Sequence, residues 1–179
     1  MEVVYILQII TIAVSIVSVV SSVIVSVKTN KTQNIAKIVA NQRLIFLQQY
    51  REKSSLLLTL CSPEIISGAQ DGSFERELLQ TSYELKSIFK ACYKQESELL
   101  RLIDTVVENA FLFKKTNSAE DKDRLNEAIK QLFRLINIYD VAYWRFIIDQ
   151  TSGKNYKIDN FDSYFYEAEK TFDSGASDK

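Results

Sequence analysis

The sequence predicts an all-α protein: one N-terminal transmembrane helix followed by a cytoplasmic helical bundle. Two observations predict this fold class. No charged residue occurs from Val3 to Val27, a stretch rich in Val and Ile, and a bilayer core needs roughly 20 such residues. The chain also holds only four glycines and one proline, a composition that disfavours loop-rich and all-β folds.

We divide the chain into four segments by composition and periodicity. They are a transmembrane helix at 1–28, a juxtamembrane helix at 29–62, a cytoplasmic helical domain at 63–158, and an acidic aromatic tail at 159–179.

The first segment is predicted to be an uncleaved anchor rather than a signal peptide. Glu2 stands where a signal peptide carries basic residues, and the apolar stretch exceeds the ~7–15 residues of a signal-peptide core. Basic residues follow the stretch, which by the positive-inside rule places the C-terminus in the cytoplasm and the short N-terminus outside. We expect four of them to lie at the membrane surface, where they would bind anionic lipid: Lys28, Lys31, Arg43 and Arg51.

Polar residues within the first segment recur every three or four positions. They lie within an arc of roughly 80° on one helix face and are Gln8, Thr11, Ser15, Ser18, Ser22 and Ser26. We call this set the serine stripe. A polar face surrounded by lipid requires a protein or water neighbour. Two readings stay open: the stripe is a helix–helix interface, or several copies turn it inward to line a pore. Both predict a homo-oligomer, such as a tetramer.

The remaining elements are predicted in order from helical periodicity and capping signals. A helix from Asn34 ends before Pro63, because the residue before proline avoids the α region. Ser73 is expected to be the N-cap of a helical stretch from Phe74 towards Lys114, whose continuity the pattern does not decide. Ser118 and Asp121 resemble a capping box before a helix from Ala119 to about Asp149. That helix is expected to bury seven residues: Leu125, Ile129, Leu132, Phe133, Ile136, Ala142 and Ile147.

Aromatic residues in the acidic tail indicate that part of it docks as a short helix, with disorder expected from Ser174 to Lys179.

Catalysis is not expected. The chain has no histidine, the commonest general base and metal ligand. Its two cysteines, Cys61 and Cys92, lie far apart on apolar stretches and are expected to be buried apolar residues. No nucleophile–base set, phosphate-binding loop or metal-ligand spacing occurs. We therefore predict a protein that is not an enzyme and has no cofactor or metal.

Basic residues at helical spacing are candidates for an anion-binding site. Lys86, Lys90 and Lys94 recur four apart, and Lys130 with Arg134 repeat that spacing on the last helix. Cationic side chains beside aromatics can hold a phosphate backbone and stack bases. The alternatives are a solvated face or an acceptor for the acidic tail, within or between subunits.

The layout resembles small bacterial anti-phage membrane effectors, with the Hailong-type channel effector as the nearest analogue. The resemblance rests on the Val/Ser-rich anchor, the hinge at 28–33, Asn41-x-Arg43 with Arg51, and Tyr143-Trp144-Arg145. It implies a homo-oligomeric channel in the bacterial inner membrane, gated by a nucleotide or DNA oligomer from a nucleotidyltransferase encoded alongside. The alternative is a non-conducting, membrane-anchored helical scaffold that recruits a cytoplasmic partner.

Overall fold

A computed structural model describes residues 2–69, 72–89, 94–151 and 161–176 of the chain. Side chains are described throughout these ranges except at 2–14, 16–17, 31–33, 35–36, 150–151 and 175–176. Every regular element within the described ranges is a helix, which confirms the all-α prediction.

The helices are numbered in chain order. They are α1 (Glu2–Leu60), α2 (Pro63–Gly68), α3 (Ser73–Ile88), α4 (Lys94–Thr116), α5 (Ala119–Thr151) and α6 (Phe161–Ala176). The chain divides into two compact units, Met1–Gln42 and Arg43–Lys179, which we call unit 1 and unit 2. The boundary between the units falls within α1.

Unit 2 contains one continuous hydrophobic core. The part of α1 that belongs to unit 2 contributes Leu47, Tyr50 and Leu57, all fully or almost fully buried. Helix α5 packs against both α4 and α6, and α3 packs against α4. Cys61 is also buried in this core, as the sequence predicts, whereas Cys92 lies outside the described residues. Apolar side chains at helical spacing therefore set the fold of unit 2.

The turn between α4 and α5 confirms the cap predicted at Ser118. Asn117 takes a positive φ of 49°, and its amide donates to the Phe113 carbonyl at 2.8 Å. The Asp121 amide donates to Ser118 Oγ at 3.1 Å. The hydroxyls of Thr116 and Ser118 both donate to the Asp121 carboxylate, and these bonds lower the pKa of Asp121. Side-chain caps at this turn satisfy backbone groups that helix ends leave without partners.

Two boundaries around α3 were not fixed by the sequence pattern. Ser73, predicted as the N-cap, is instead the first helical residue, and Gly72 takes the cap position with φ of 84°. Glycine adopts that backbone conformation without steric cost. At the other end, α3 stops at Ile88, because Phe89 has an extended backbone. The stretch from Phe74 to Lys114 is therefore divided between α3 and α4.

The structure corrects the prediction of a transmembrane helix. Among the residues that the structure describes, no helix combines the length and the apolar character needed to cross a membrane. The predicted single-pass topology and the predicted inner-membrane location with a cytoplasmic C-terminus both depend on that span, and both predictions are wrong.

Candidate interaction site

The three lysines of the predicted anion-binding ridge do not share one helix. Lys86 lies on α3, where its Nζ donates to Asp104 Oδ1 at 2.7 Å and sits 4.9 Å from the ring centroid of Tyr83. Lys94 is the first residue of α4 and is exposed. Lys90 lies outside the described residues. Lys86 and Lys94 therefore lie on two different helices.

The second basic pair has two different environments. Lys130 is exposed on α5. Arg134, one helical turn later, donates to both carboxylate oxygens of Asp173 at 2.9 Å and to Glu169 at 3.3 Å. These hydrogen bonds raise the pKa of the Arg134 guanidinium, and the bond to Asp173 has the largest effect. Arg134 thus binds the acidic tail of its own chain, which is one of the alternatives that the sequence left open.

The acidic tail forms α6 and lies against α5. Phe161, Phe165 and Ala168 are buried, and the Phe161 ring contacts those of Tyr143 and Phe146 at centroid distances of 5.9 and 5.8 Å. A docked helix in the tail was predicted and is confirmed. The helix continues to Ala176, so the residues from Ser174 to Ala176 are helical rather than disordered, and those after them lie outside the described residues.

Two of the four residues predicted to lie at a membrane surface, Arg43 and Arg51, have contacts within unit 2. Arg51 donates to both carboxylate oxygens of Asp140, from Nε at 2.6 Å and Nη2 at 2.9 Å. The guanidinium of Arg43 lies 4.6 Å from the centroid of the Phe146 ring. Lys28 is exposed on α1, and the side chain of Lys31 lies outside those described. Without a spanning helix, the lipid-binding prediction for these residues loses its basis.

Helix α1 exposes a group of large apolar side chains in unit 1. Val25 and Ile38 are among them and are also more than half exposed. Five others lie close together on one side of the helix, each at least half exposed, and we call these five the valine face: Val19, Val20, Val23, Ile24 and Val27. At 100° per residue these positions cover an arc of about 140°. Four members of the serine stripe, Ser15, Ser18, Ser22 and Ser26, are exposed beside it, while the side chains of Gln8 and Thr11 are outside those described.

A second exposed apolar group lies on α5 in unit 2, and sequence reasoning missed it. Phe133, predicted to be buried, is 53% exposed, and Trp144 is 42% exposed. With Val141 and Ile148, also exposed, they lie within an arc of about 80°. We call these four residues the outer face of α5. The signal that could have revealed it is that α5 carries apolar residues on two faces, and only one of them can face the core.

An open cavity of about 410 Å³ is lined by residues of α1, α2 and α3, among them Leu60, Phe74, Glu64 and Glu77. Histidine, cysteine and carboxylate side chains nowhere cluster in the described ranges so as to hold a metal ion.

Comparison of the chain with protein-family models, curated proteins and solved structures finds no match. The class of protein that the fold and surfaces define is an all-α protein with exposed apolar helix faces. Its function is inferred below from those faces.

Proposed function

We propose that this protein is a homo-oligomeric helical scaffold: unit 1 assembles copies of the chain, and unit 2 recruits a partner protein. The observation that carries the proposal is the exposure of the valine face on α1. Contiguous apolar patches of this kind on a protein surface mark interaction sites. The channel hypothesis requires a membrane-spanning helix, and we do not carry it forward.

The valine face has the spacing of a helix–helix seam. Val20, Val23 and Val27 are separated by three and four residues, and in the sequence the same spacing continues back through Ile16 and Ala13. Apolar residues repeating every 3.5 positions favour a left-handed pairing of helices. Burial of each half-exposed valine contributes about 1 kcal/mol, so several of them per chain supply a substantial driving force for association.

A second copy of the same helix is the partner that this composition favours. No charged residue lies between Val3 and Val27, so two copies meet there without charge repulsion. The serine stripe borders the valine face with small side chains, which let neighbouring helices approach closely. The sequence pattern instead predicts self-association through the serine stripe. Substitutions on each of the two faces distinguish these two interfaces.

The proposal predicts that charges on the valine face dissociate the assembly. The double variant Val20→Lys/Val27→Lys places two ammonium groups in the seam, where their desolvation is unfavourable. The expected result is a fall in particle mass to that of one chain. The measurement is light scattering after size exclusion, with and without a mild detergent to separate specific assembly from aggregation.

The matched control is Ser21→Lys/Val25→Lys, which adds the same charge to α1 positions outside both the valine face and the serine stripe. It is expected to keep the wild-type mass. Ser18→Lys/Ser22→Lys tests the serine stripe in the same way. A wild-type chain that is monomeric, or a control pair that dissociates the particle as fully as the valine-face pair, contradicts the proposal.

A further inference from the structure

The outer face of α5 is exposed in the part of unit 2 that the structure describes. Phe133 and Ile148 mark its ends, 15 residues apart, which corresponds to about 22 Å along a helix. On the opposite side of α5, Leu132 and Tyr139 are buried in the core. The exposed group amounts to an apolar patch on the order of several hundred Å², a size that is often functional on monomeric proteins.

The residue types of this face are those of protein-binding hot spots. Tryptophan, aromatic residues and arginine dominate the centres of interfaces, and here Trp144 lies between Val141 and Ile148 with Arg145 beside it. Aromatic side chains contribute large contact areas with few rotatable bonds. The face therefore has the chemistry to anchor a second helix along α5.

The charges along this face favour an acidic partner. Lys130 and Arg145 make no ion pair within the described ranges of the chain. The carboxylates nearest to these two residues along α5 have other partners: Asp140 is bonded to Arg51, Asp149 accepts from the Tyr164 hydroxyl, and Glu127 accepts from the Gln131 amide. A second copy would bring the same basic residues to the same face, so acidic side chains have to come from a different surface.

Helix α5 already binds an acidic aromatic helix on its neighbouring side. There α6 supplies Phe161 and Phe165 to an apolar surface and two carboxylates, Glu169 and Asp173, to Arg134. The outer face has the same two features as that contact, an apolar stripe and basic side chains beside it, and its four apolar side chains are exposed.

We infer that the outer face of α5 docks an acidic, aromatic amphipathic helix of a partner protein. This inference rests on the proposed function, in which unit 2 recruits a partner protein. It specifies the surface that recruits the partner and the chemistry of the partner's helix. Binding follows the helix-in-groove mode, in which apolar side chains of the incoming helix at i, i+3 and i+4 contact the face, while its carboxylates meet Lys130 and Arg145.

Trp144 provides a direct measurement, because it is the one tryptophan of the chain. The probe is a synthetic peptide with the sequence of residues 161–176, added to the full-length protein. Docking over Trp144 removes its indole from water, so its fluorescence emission is expected to shift to shorter wavelength and to saturate with peptide concentration. A peptide with Asn and Gln in place of its Asp and Glu residues is expected to bind more weakly.

The variant Phe133→Ser/Ile148→Ser is expected to weaken peptide binding by about tenfold or more, since it removes apolar anchors at both ends of the face. Both residues are exposed, so folding is retained. The matched control is Leu79→Ser/Leu112→Ser, which alters two comparably exposed leucines on α3 and α4 and is expected to leave binding unchanged.

The inference is overturned by no emission shift, by an equal loss in the control pair, or by equal binding of the neutral peptide. A loss of binding caused only by Arg134→Gln would place the peptide in the α6 site and overturns it as well. An emission shift that follows protein concentration without peptide assigns the face to a second copy and also overturns it. Failure of the proposed assembly is distinguishable, because Val20→Lys/Val27→Lys changes particle mass and leaves peptide binding intact.

Discussion

Two buried tyrosines show how single side chains keep polar groups inside the core of unit 2. The Tyr50 hydroxyl donates to the Ile136 carbonyl at 3.2 Å, and the Tyr139 hydroxyl donates to the buried carboxylate of Glu96 at 3.1 Å. Burial is the main cause that raises the pKa of both phenols, so both remain protonated donors. Their hydrogen bonds offset the cost of removing polar groups from water.

Cys61 gives a prediction at the residue scale. Burial raises the pKa of its thiol to about 12, and the thiolate is the form that reacts with alkylating reagents. Below that pH the thiol stays protonated, so the thiolate fraction is about a thousandfold lower than for an ordinary cysteine. Native alkylation followed by peptide mapping is expected to leave Cys61 unmodified at pH 8.

Alkylation of the same protein in denaturant is the control and is expected to modify Cys61 fully. A Cys61 that reacts as fast in the native protein as in the denatured chain would contradict its burial.

At the scale of single elements, α6 shows how a terminal helix is held by contacts of unequal strength. Its apolar contacts are buried, while its ion pairs with Arg134 are more than one-third exposed and are weakened by solvent. Two further hydrogen bonds join α6 to its neighbours. The Tyr164 hydroxyl donates to Asp149 of α5 at 2.9 Å, and the Gln95 amide of α4 donates to Asp162 at 2.9 Å.

The exposure of these ion pairs gives a prediction for α6. Arg134→Gln removes both carboxylate contacts, and exposed pairs are each worth about 0.2–1 kcal/mol. Amide hydrogen exchange in α6 is therefore expected to become a few times faster, with a smaller difference at high salt because salt screens exposed charges.

Arg124→Gln is the matched control, because it removes an arginine that pairs with carboxylates of α5 itself. Its effect on α6 exchange is expected to be absent. Equal acceleration by both variants would show that Arg134 does not hold α6.

At the scale of the whole molecule, the two units differ in where their apolar side chains lie: buried in the core of unit 2 and exposed on α1 in unit 1. In unit 2, α5 packs against α4 and α6 and their apolar side chains form a buried core. In unit 1 the valine face is exposed. Stability of unit 2 and assembly through unit 1 are therefore expected to respond to different substitutions.

This separation is tested with Leu57→Ala, which empties a fully buried site in unit 2. Truncation of a buried leucine costs about 2–5 kcal/mol, so the free energy of unfolding measured with denaturant is expected to fall by that amount while particle mass is retained. Leu56→Ala, a neighbouring and more exposed leucine, is the control and is expected to have a small effect. Loss of assembly in Leu57→Ala would show that the two units are not independent.

The amino-acid sequence by itself determined the helical elements of this protein and several of their ends. Pro63 stops α1 because proline restricts the residue before it, and Ser118 starts α5 because its hydroxyl caps a free amide. The buried faces of α3 and α4 follow from apolar spacing. These features depend on residues close together in the chain, which is why local pattern predicts them.

Only the tertiary structure decided which apolar faces are covered and which charges are paired. Phe133 fits the periodicity of a buried residue, yet α6 and the neighbouring helices cover other sides of α5. The spacing of Arg134 with Lys130 fits an anion site for an external ligand, yet the Arg134 guanidinium is hydrogen-bonded to Asp173, 39 residues later in the chain. The uncharged stretch in α1 predicted a membrane span that the described residues do not support. Each outcome depends on which helices pack together, and a helix's own sequence does not contain that information.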